Sequence, residues 1–331
     1  MRILLTGGTG FIGKHLARRL VERGDTLVAL VRRTSRRGPL EALGARFVEG
    51  ELTSGEGLAE AVRDVDCVLH LAGVTKAREP EGYFQGNAEG TRNLMAALAA
   101  QPRPPRLVFC SSIAAAGPST VERPRREEDP PAPVSLYGRS KLGAELAVRD
   151  FADRVPSVII RPPIVYGPGD QEFLPSLLPM ARLGLALKSG FGTKRYSLIH
   201  VDDLCAVLLA ATGLGTTLSA EEPARGVYTV SDGLEHRWED VCEALAQALG
   251  RGQPQVLPVP EAVSYVVGVG SELVARVRGT IPILNRDKVR EMMCPAWTCS
   301  IERAARELGF TPRVPLLQGF QSALRELRQD G

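Results

Sequence analysis

Tyr137 and Lys141 stand four residues apart in the segment Tyr137-Gly138-Arg139-Ser140-Lys141. If this segment is helical, the spacing places the phenol and the ammonium group on one helix face. The pKa of a free tyrosine is about 10, and a neighbouring positive charge favours the phenolate and lowers that pKa. Such a tyrosine can move a proton on or off a substrate oxygen atom. Because Tyr and Lys are also common on solvated helix faces, the pair alone does not establish this chemistry.

A pair of serines, Ser111 and Ser112, ends the apolar run that begins at Arg106. A hydroxyl at the carboxyl end of a parallel strand lies where open α/β sheets bind ligands. We expect Ser112 to donate a hydrogen bond to a substrate oxygen and to orient it towards Tyr137. A serine in this position can instead bond its own backbone.

Glycines crowd the segment Thr6-Gly7-Gly8-Thr9-Gly10-Phe11-Ile12-Gly13, which follows the first apolar run and opens a helix-like segment. The glycines fit two registers, GxGxxG and GxxGxxG. Both permit a tight turn and a close approach to a pyrophosphate, while the helix N-terminus supplies N–H donors. The alternative is a glycine-rich turn that binds no ligand.

Short apolar runs and helix-like segments alternate through the first half of the chain, which is typical of βαβ units around a buried parallel sheet. The sequence therefore predicts an α/β fold: a doubly wound parallel Rossmann sheet with a second, smaller α+β substrate domain. The predicted strands are 2–6, 26–31, 46–48, 66–72, 106–111 and 157–161, and the predicted helices are 11–23, 83–100 and 137–151, with 58–63 also on a helix.

The second half of the chain predicts a discontinuous second domain. Pro and Gly residues at 162–169 mark a boundary, and the run 199–211 and a late strand at 226–230 return to the first domain. We therefore assign residues 1–165, about 199–212 and 226–231 to a dinucleotide-binding Rossmann domain. The substrate domain takes about 166–198, 213–225 and 232–331.

The end of the second predicted strand indicates which dinucleotide is bound. An NAD site would place Asp or Glu about 20 residues after the glycines, bonding the adenosine ribose. Residues 30–37, Leu-Val-Arg-Arg-Thr-Ser-Arg-Arg, contain no acid. Arg32 lies where a 2′-phosphate would need a planar, permanently charged donor. We expect NADP(H) to be preferred and NAD(H) to be possible; a solvated basic loop is the alternative.

Composition excludes several classes of protein. The 331 residues are 44% hydrophobic and 24% charged, as in ordinary globular proteins. The formal net charge of +3 is too small to indicate nucleic-acid binding. The six cysteines show no paired CxxC spacing, so neither a zinc site nor a disulfide scaffold is expected, and we predict no metal. We expect no signal peptide and no membrane span, and a cytoplasmic location.

Taken together, the motifs make the chain resemble the extended short-chain dehydrogenases/reductases, in the epimerase/dehydratase and 3β-hydroxysteroid-dehydrogenase-like group. The matching pieces span about 200 residues in the family's order: TGGTGFIG at 6–13, HLAG at 70–73, NAEGT at 87–91, Ser111-Ser112…Gly117, Tyr137…Lys141, RPP at 161–163 with YGPG at 166–169, and HVDD at 200–203. The last 130 residues vary with substrate in this group.

The resemblance implies roles for residues at matching positions. Ser112, Tyr137 and Lys141 match the catalytic triad, and Lys141 also binds the nicotinamide ribose. Cofactor contacts are implied for Gly7, Gly10, Phe11, Ile12, Glu51, Leu52, Leu71, Ala72, Gly73, Asn87 and Pro163. Glu51 departs from the family, which usually has Asp there. The resemblance also implies a homodimer through helices like 83–100 and 137–151.

Other candidate residues carry weaker signals. His70 lies in an apolar strand and is expected to be structural. His200, Asp202 and Asp203 look like metal ligands, but in the resembling family this segment is a structural connection. The apolar stretch 255–269, helix-like to 277, is expected to be a core helix, with a substrate lid as the alternative. The residues expected to face the substrate are Thr75, Lys76, Arg78, Tyr166 and Arg195.

Three functions follow from this set of residues. The first is net oxidation or reduction of a secondary alcohol or ketone by hydride transfer to or from nicotinamide. The second is a nucleotide-sugar epimerase of the UDP-sugar type with tightly bound NAD. The third is a dinucleotide-binding regulatory protein without turnover, against which the Ser–Tyr–Lys set argues. The resemblance disfavours a sugar dehydratase, because the family's sugar dehydratases carry an Asp-Glu pair beside the catalytic Ser or Thr, whereas Ile113 and Ala114 follow Ser112 here.

Overall fold

The computed structural model describes residues 1–278 and 286–329. Its strands are β1 Arg2–Thr6, β2 Thr26–Val31, β3 Arg46–Glu49, β4 Cys67–His70, β5 Arg106–Cys110, β6 Ser157–Arg161, β7 Ile164–Tyr166, β8 Leu185–Ser189, β9 Arg195–Tyr196, β10 Leu198–His200, β11 Val227–Thr229, β12 His236–Arg237, β13 Gln255–Val259 and β14 Ala296–Trp297. Its helices are α1 Phe11–Glu22, α2 Gly38–Glu41, α3 Leu58–Ala61, α4 Pro80–Phe84, α5 Gly90–Ala99, α6 Ile113–Ala116, α7 Leu136–Arg149, α8 Phe173–Ala181, α9 Val201–Ala210, α10 Trp238–Ala248, α11 Glu261–Arg278, α12 Arg286–Met293, α13 Glu302–Leu308 and α14 Leu316–Gln329.

Seven parallel strands form the main sheet, in the order β11-β6-β5-β4-β1-β2-β3. The chain leaves β1 first on one side, through β2 and β3, and then on the other, through β4, β5 and β6. The order therefore reverses at β1 and β4, which is where open α/β sheets place a ligand crevice. This confirms the predicted doubly wound Rossmann sheet.

Each face of the main sheet has its own apolar layer. On one side, Leu16 and Leu20 of α1 pack on strand residues such as Leu5, and on the other Leu94 and Leu98 of α5 pack on the opposite strand faces. The strands carry apolar side chains on both faces of the sheet, so helices must cover both faces to keep water away from them. Helices on both faces therefore fix the position of the carboxyl ends of the strands.

Further elements build a separate apolar cluster outside the main sheet. Helices α8, α10 and α14 supply its core, which includes Leu178, Leu245 and Phe320. Strand β11 pairs with β6 of the main sheet, and α9 packs against α1. The division into a domain of residues 1–165, 199–212 and 226–231 and a domain of 166–198, 213–225 and 232–331 stays a prediction.

The apolar stretch 255–269 is not one core helix, and this corrects the sequence interpretation. Residues 255–259 pair with β8 as strand β13, and the helix α11 begins only after Pro260. Within α11, Val266 and Val267 are exposed, while Ser264 and Gly268 face inward. The periodicity of a short apolar run does not distinguish a strand from a helix. Pro258 and Pro260 are disfavoured inside a helix, so a helix cannot cover the whole stretch.

The helix expected at 83–100 contains an irregular turn. Residues Gln85–Glu89 adopt a π-helical turn between α4 and α5, with Asn87 buried inside it. Such turns insert one extra residue into a helix and are frequent at functional sites. Here the turn directs Asn87 towards the loop that follows β4.

A buried ion pair joins α7 to the main sheet. Arg161, at the end of β6, donates from Nε to Glu145 Oε1 at 2.8 Å, and its Nη2 donates to Oε2. Ser111, just after β5, donates to the same Glu145 Oε1 at 2.6 Å. The side chains of Arg161 and Glu145 are only 3% and 1% exposed. One carboxylate therefore ties one helix to two strand ends.

Removal of this carboxylate should be costly. We expect Glu145→Ala to lower the free energy of unfolding by about 3–5 kcal/mol, because it leaves Arg161 charged, buried and unpaired. Glu222→Ala is the control, since Glu222 pairs with Arg225 at 3.4 Å in an exposed position away from α7, and it should cost at most about 1 kcal/mol. Urea unfolding of both variants measures the difference; equal losses would contradict the assignment of Glu145 as a structural tie.

Candidate active site

The glycine loop lies between β1 and α1, at the reversal point of the sheet. Gly7 has φ +72°, and a Cβ there would lie 2.6 Å from the backbone nitrogen of Ala72. A Cβ on Gly13 would lie 2.2 Å from the carbonyl oxygen of Gly7. Gly10 precedes α1 and provides no side-chain cap, so the first-turn N–H groups of Phe11 and Ile12 have no intrahelical acceptor. The loop therefore fits a pyrophosphate, as the sequence motif indicates.

The loop after β4 runs beside the glycine loop and then beside α7. The Ala72 N–H donates to Thr6 Oγ1 at 3.1 Å. A Cβ on Gly73 would lie 3.1 Å from Asn87 Oδ1 and 3.9 Å from Lys141 Nζ. The predicted cofactor residues 71–73 therefore line a path from the glycines to the Tyr–Lys helix.

Asn87 holds this path in place. Its Oδ1 accepts from Val74 N at 2.7 Å, and its Nδ2 donates to Val74 O at 3.0 Å and to Ser140 Oγ at 2.8 Å. Both ends of its amide group are thus bonded within the protein. The structure places Asn87 as the link between the β4 loop and α7.

The opposite end of the crevice lies beyond β2 and β3. Arg32 directly follows β2 and is exposed, with its backbone N–H donating to Ser35 Oγ at 3.0 Å. Arg37 is engaged elsewhere, because it pairs with Glu49 and lies over the Phe47 ring. Glu51 and Leu52 follow β3 and are half-buried.

Ser112, Tyr137 and Lys141 come together at the end of β5. Ser112 begins α6, and its Oγ accepts from the Ala114 N–H at 3.1 Å, so the backbone contact weighed as an alternative is present. The Lys141 ammonium donates to the carbonyl oxygen of Cys110 at 2.8 Å and lies 4.4 Å from the centre of the Phe109 ring. The predicted triad residues therefore share one corner of the crevice.

Burial controls ionisation in this corner. It raises the pKa of the Tyr137 phenol above its usual range, and a hydrogen bond with Ser112 only partly opposes this effect. The protein residues around the phenol therefore raise its pKa, whereas a neighbouring ammonium was expected to lower it. Burial also lowers the pKa of Lys141 to about 8, against the opposite effects of Cys110 and Glu145. At neutral pH the corner holds a neutral phenol and a largely protonated amine.

Pro163 lies at the strand end beside this corner. It is buried between β6 and β7, and the carbonyl oxygen of its neighbour Pro162 accepts from the Ile113 N–H at 2.9 Å. Pro163 therefore lies next to the Ser112 segment, and its contact with the reacting end of the cofactor stays a prediction.

Two of the expected substrate residues lie together at the rim of the crevice. Thr75 Oγ1 is 3.3 Å and Lys76 Nζ is 3.1 Å from the Glu172 carboxylate, which directly precedes α8. Arg78 is exposed in the same loop. Arg195 lies in β9, with its guanidinium 4.0 Å from Glu235.

The structure contradicts the expectation that Tyr166 faces the substrate. Its side chain is fully buried, with its ring packed against Phe320 at 5.1 Å and against His200 at 5.5 Å between ring centres. A side chain enclosed by α14 in this way cannot contact a substrate in this structure. Tyr166 belongs to the apolar cluster outside the main sheet.

His70 and His200, for which we expect a structural role, are both hydrogen-bonded within the protein. His70 is buried between Thr6 Oγ1 at 2.7 Å and Thr91 Oγ1 at 3.0 Å, and burial lowers its pKa to about 3. His200 caps α9 by accepting from Asp202 N at 3.2 Å. Within residues 1–278 and 286–329, no cluster of three or more His, Cys, Asp or Glu side chains could hold a metal ion.

Sequence reasoning missed three residues of this region: Glu145, Arg161 and Glu172. Glu145 continues the four-residue spacing of Tyr137 and Lys141, and Arg161 ends a strand directly after three apolar residues. Both residues could have been singled out from the sequence, because a charged side chain on a buried surface requires a partner. Glu172 carries no such signal in the sequence.

The parallel sheet, the glycine loop and the Ser–Tyr–Lys corner define an extended short-chain dehydrogenase/reductase. A family model described as the NAD dependent epimerase/dehydratase family matches residues 3–218. The chain belongs to this family and is an NAD(P)-dependent oxidoreductase or epimerase, which confirms the resemblance seen in the sequence.

Relatives and solved structures extend this comparison over the whole chain. The chain is 30% identical to a ceramide reductase of Caulobacter vibrioides (99% of this chain, 95% of the relative). It is 31% identical to a 2-alkyl-3-oxoalkanoate reductase of Stenotrophomonas maltophilia (97% and 98%). The UDP-glucose 4-epimerase of Thermus thermophilus in complex with NAD shares the fold, with a TM-score of 0.76, 24% identity and 99% of both chains covered.

Membrane-crossing helices are absent from the described part of the chain. None of its helices combines the length and the apolar character that crossing a bilayer requires.

The close packing at Gly13 generates a prediction. We expect Gly13→Ala to weaken dinucleotide binding at least tenfold, because the new methyl group must displace the Gly7 backbone that shapes the phosphate loop. Gly252→Ala is the matched control, since nothing lies within 4 Å of its added Cβ. Fluorescence titration with NADPH and with NADH measures both variants; unchanged binding by Gly13→Ala would contradict the loop assignment.

Proposed function

We propose that the protein reduces a ketone to a secondary alcohol with NADPH, and that Tyr137 is the proton donor. The observation that carries the proposal is the placement of the half-buried Tyr137 phenol beside Ser112 at the end of β5, where Lys141 is anchored on Cys110 O. A phenol that keeps its proton is suited to protonating an oxygen that becomes negative. The reverse oxidation uses the same residues in the opposite order.

The residues divide the work in a simple way. When bound, the cofactor supplies or accepts the hydride. Ser112 donates a hydrogen bond to the substrate oxygen and fixes it near the phenol, and Tyr137 gives that oxygen its proton. Lys141 uses one of its three N–H donors on Cys110 O, which leaves two for the ribose hydroxyls and for the proton path to Tyr137.

The cofactor is proposed to be held along the path already described. Gly7, Gly10, Phe11 and Ile12 contact the pyrophosphate, and residues 71–73 pass along the middle of the dinucleotide. Glu51 and Leu52 flank the adenine, and Pro163 borders the nicotinamide. The preference for NADP(H) is supported by Arg32, whose exposed guanidinium follows β2 while Arg37 is occupied by Glu49.

The substrate is proposed to be an apolar ketone without a nucleotide. Among the cationic residues expected to face the substrate, Lys76 is paired with Glu172 and Arg195 lies 4.0 Å from Glu235, while Arg78 is exposed. A nucleotide sugar carries a diphosphate, which requires uncommitted cations or N–H groups. Similarity to a ceramide reductase and a 2-alkyl-3-oxoalkanoate reductase also supports a substrate with hydrocarbon chains.

The cellular location and the oligomeric state are part of the same proposal. We propose a cytoplasmic location and a homodimer formed through α5 and α7. The outer faces of these helices expose Arg92 and Leu146, and Leu146 is 51% exposed. An apolar side chain exposed between charged ones is suited to the centre of a helix–helix contact.

A cofactor and substrate panel tests the proposed function. Purified protein is assayed with NADPH or NADH against 2-alkyl-3-oxoalkanoates of increasing chain length, and separately with UDP-glucose. The proposal expects NADPH-linked turnover of a ketone and no bound cofactor after purification. Stoichiometric bound NAD with conversion of UDP-glucose would establish the epimerase instead, and cofactor binding without any turnover would favour the regulatory protein.

Tyr137→Phe isolates the proton transfer. The variant removes only the hydroxyl, so the protein should fold and bind NADPH while ketone reduction falls at least about 100-fold, the lower end for acid–base groups. Tyr265→Phe, an exposed tyrosine of α11, should keep the rate of the unaltered protein. Steady-state kinetics decides this, and near-normal reduction by Tyr137→Phe would remove that residue from the mechanism.

Arg32→Ala tests the choice of cofactor. Loss of a charged donor to the 2′-phosphate should weaken NADPH binding at least tenfold and leave NADH binding within about twofold. Arg103→Ala, an exposed arginine after α5, should change neither. Titration calorimetry gives both constants, and an equal weakening of NADPH and NADH would reject the phosphate contact.

A further inference from the structure

The first turn of α7 is held by two acceptors, one local and one from a distant part of the chain. Ser135, its N-cap residue, accepts from Gly138 N at 3.0 Å. Asp287 Oδ2 accepts from Leu136 N at 2.7 Å across 151 residues of sequence. N–H groups at a helix start have no intrahelical acceptor, so the second contact satisfies a donor that Ser135 does not reach.

Asp287 belongs to α12, which is firmly anchored. Val289 of this helix is fully buried, and Trp297 Nε1 donates to the carbonyl oxygen of Glu291 at 2.9 Å. The Asp287 side chain is only 13% exposed. Its carboxylate is therefore a fixed point against which the first turn of α7 rests.

The position of this contact along α7 gives it significance for the reaction. Lys141 and Glu145 anchor the helix one and two turns further on, at Cys110 O and Arg161. Tyr137 lies ahead of both anchors and directly after Leu136. A small displacement of the first turn would thus move the phenol while the later turns stay in place, and catalysis is sensitive to shifts of about 1 Å.

The charged groups around Tyr137 also indicate that Asp287 lies against the first turn of α7. Besides burial and Cys110, the carboxylates of Glu291 and Glu172 raise the pKa of Tyr137. Burial raises the pKa of Asp287, which the N–H groups of Leu136 and Tyr137 oppose. The carboxylate of Asp287 thus faces the backbone of the tyrosine residue itself.

We propose that Asp287 is a positioning residue that sets the location of the Tyr137 phenol through the first turn of α7. The inference rests on the proposed function, in which Tyr137 is the proton donor. It makes α12, outside the main sheet, a determinant of the geometry of the catalytic corner.

The first test uses kinetics on the ketone that the panel identifies. Asp287→Ala should lower kcat about tenfold and leave the KM for NADPH within twofold, because the phenol is misplaced while the cofactor path is untouched. Asp287→Asn keeps an oxygen acceptor and should restore kcat to within about threefold of the unaltered protein. Asp203→Ala is the matched control, since Asp203 likewise accepts backbone N–H groups, from Arg313 and Val314 at 3.1 Å, and should leave kcat unchanged.

The second test does not depend on turnover. The protein is labelled with 3-fluorotyrosine, and the ¹⁹F resonance of residue 137 is assigned by its absence in Tyr137→Phe. That resonance should shift in Asp287→Ala and hold its position in Asp287→Asn and Asp203→Ala. An unmoved resonance in Asp287→Ala, or an Asn variant as impaired as the Ala variant, would overturn the proposal. Absence of ketone turnover would instead count against the proposed function, and the resonance would still decide the role of Asp287.

Discussion

A stripe of three residues on α7 is the constraint on which the active corner depends. Tyr137, Lys141 and Glu145 follow one another at four-residue spacing and so share one helix face. Glu145 is bound to Arg161 and Ser111, and Lys141 is bound to Cys110 O. Since these partners end β5 and β6, the stripe fixes the helix against the edge of the sheet where we propose that the cofactor binds.

The polar contacts of this stripe are stabilising only because every member is satisfied. A buried carboxylate without Arg161, or a buried ammonium without the Cys110 carbonyl, would carry the full cost of desolvation. Partial burial of the Tyr137 side chain also raises the pKa of its phenol.

The parts of the fold that follow from local rules were predictable from sequence. The glycine loop, the alternation of strands and helices, and the Tyr–Lys spacing are all set within short stretches of chain. Tyr166 was misassigned because its partner Phe320 lies far away in the sequence, and the segment 255–259 was misassigned because a short apolar run suits a strand or a helix. Asp287 was not singled out, since nothing near it in sequence shows that it reaches Leu136.

The central claim is that hydride moves between a nicotinamide and a substrate carbon whose oxygen lies beside Tyr137. Reduction with NADPH that carries deuterium at both C4 positions of the nicotinamide, followed by mass spectrometry and NMR of the product, examines that event directly. The account predicts one deuterium on the new carbinol carbon for each NADP⁺ released. A product alcohol without deuterium, or a product formed while the cofactor stays bound and unchanged, would contradict it.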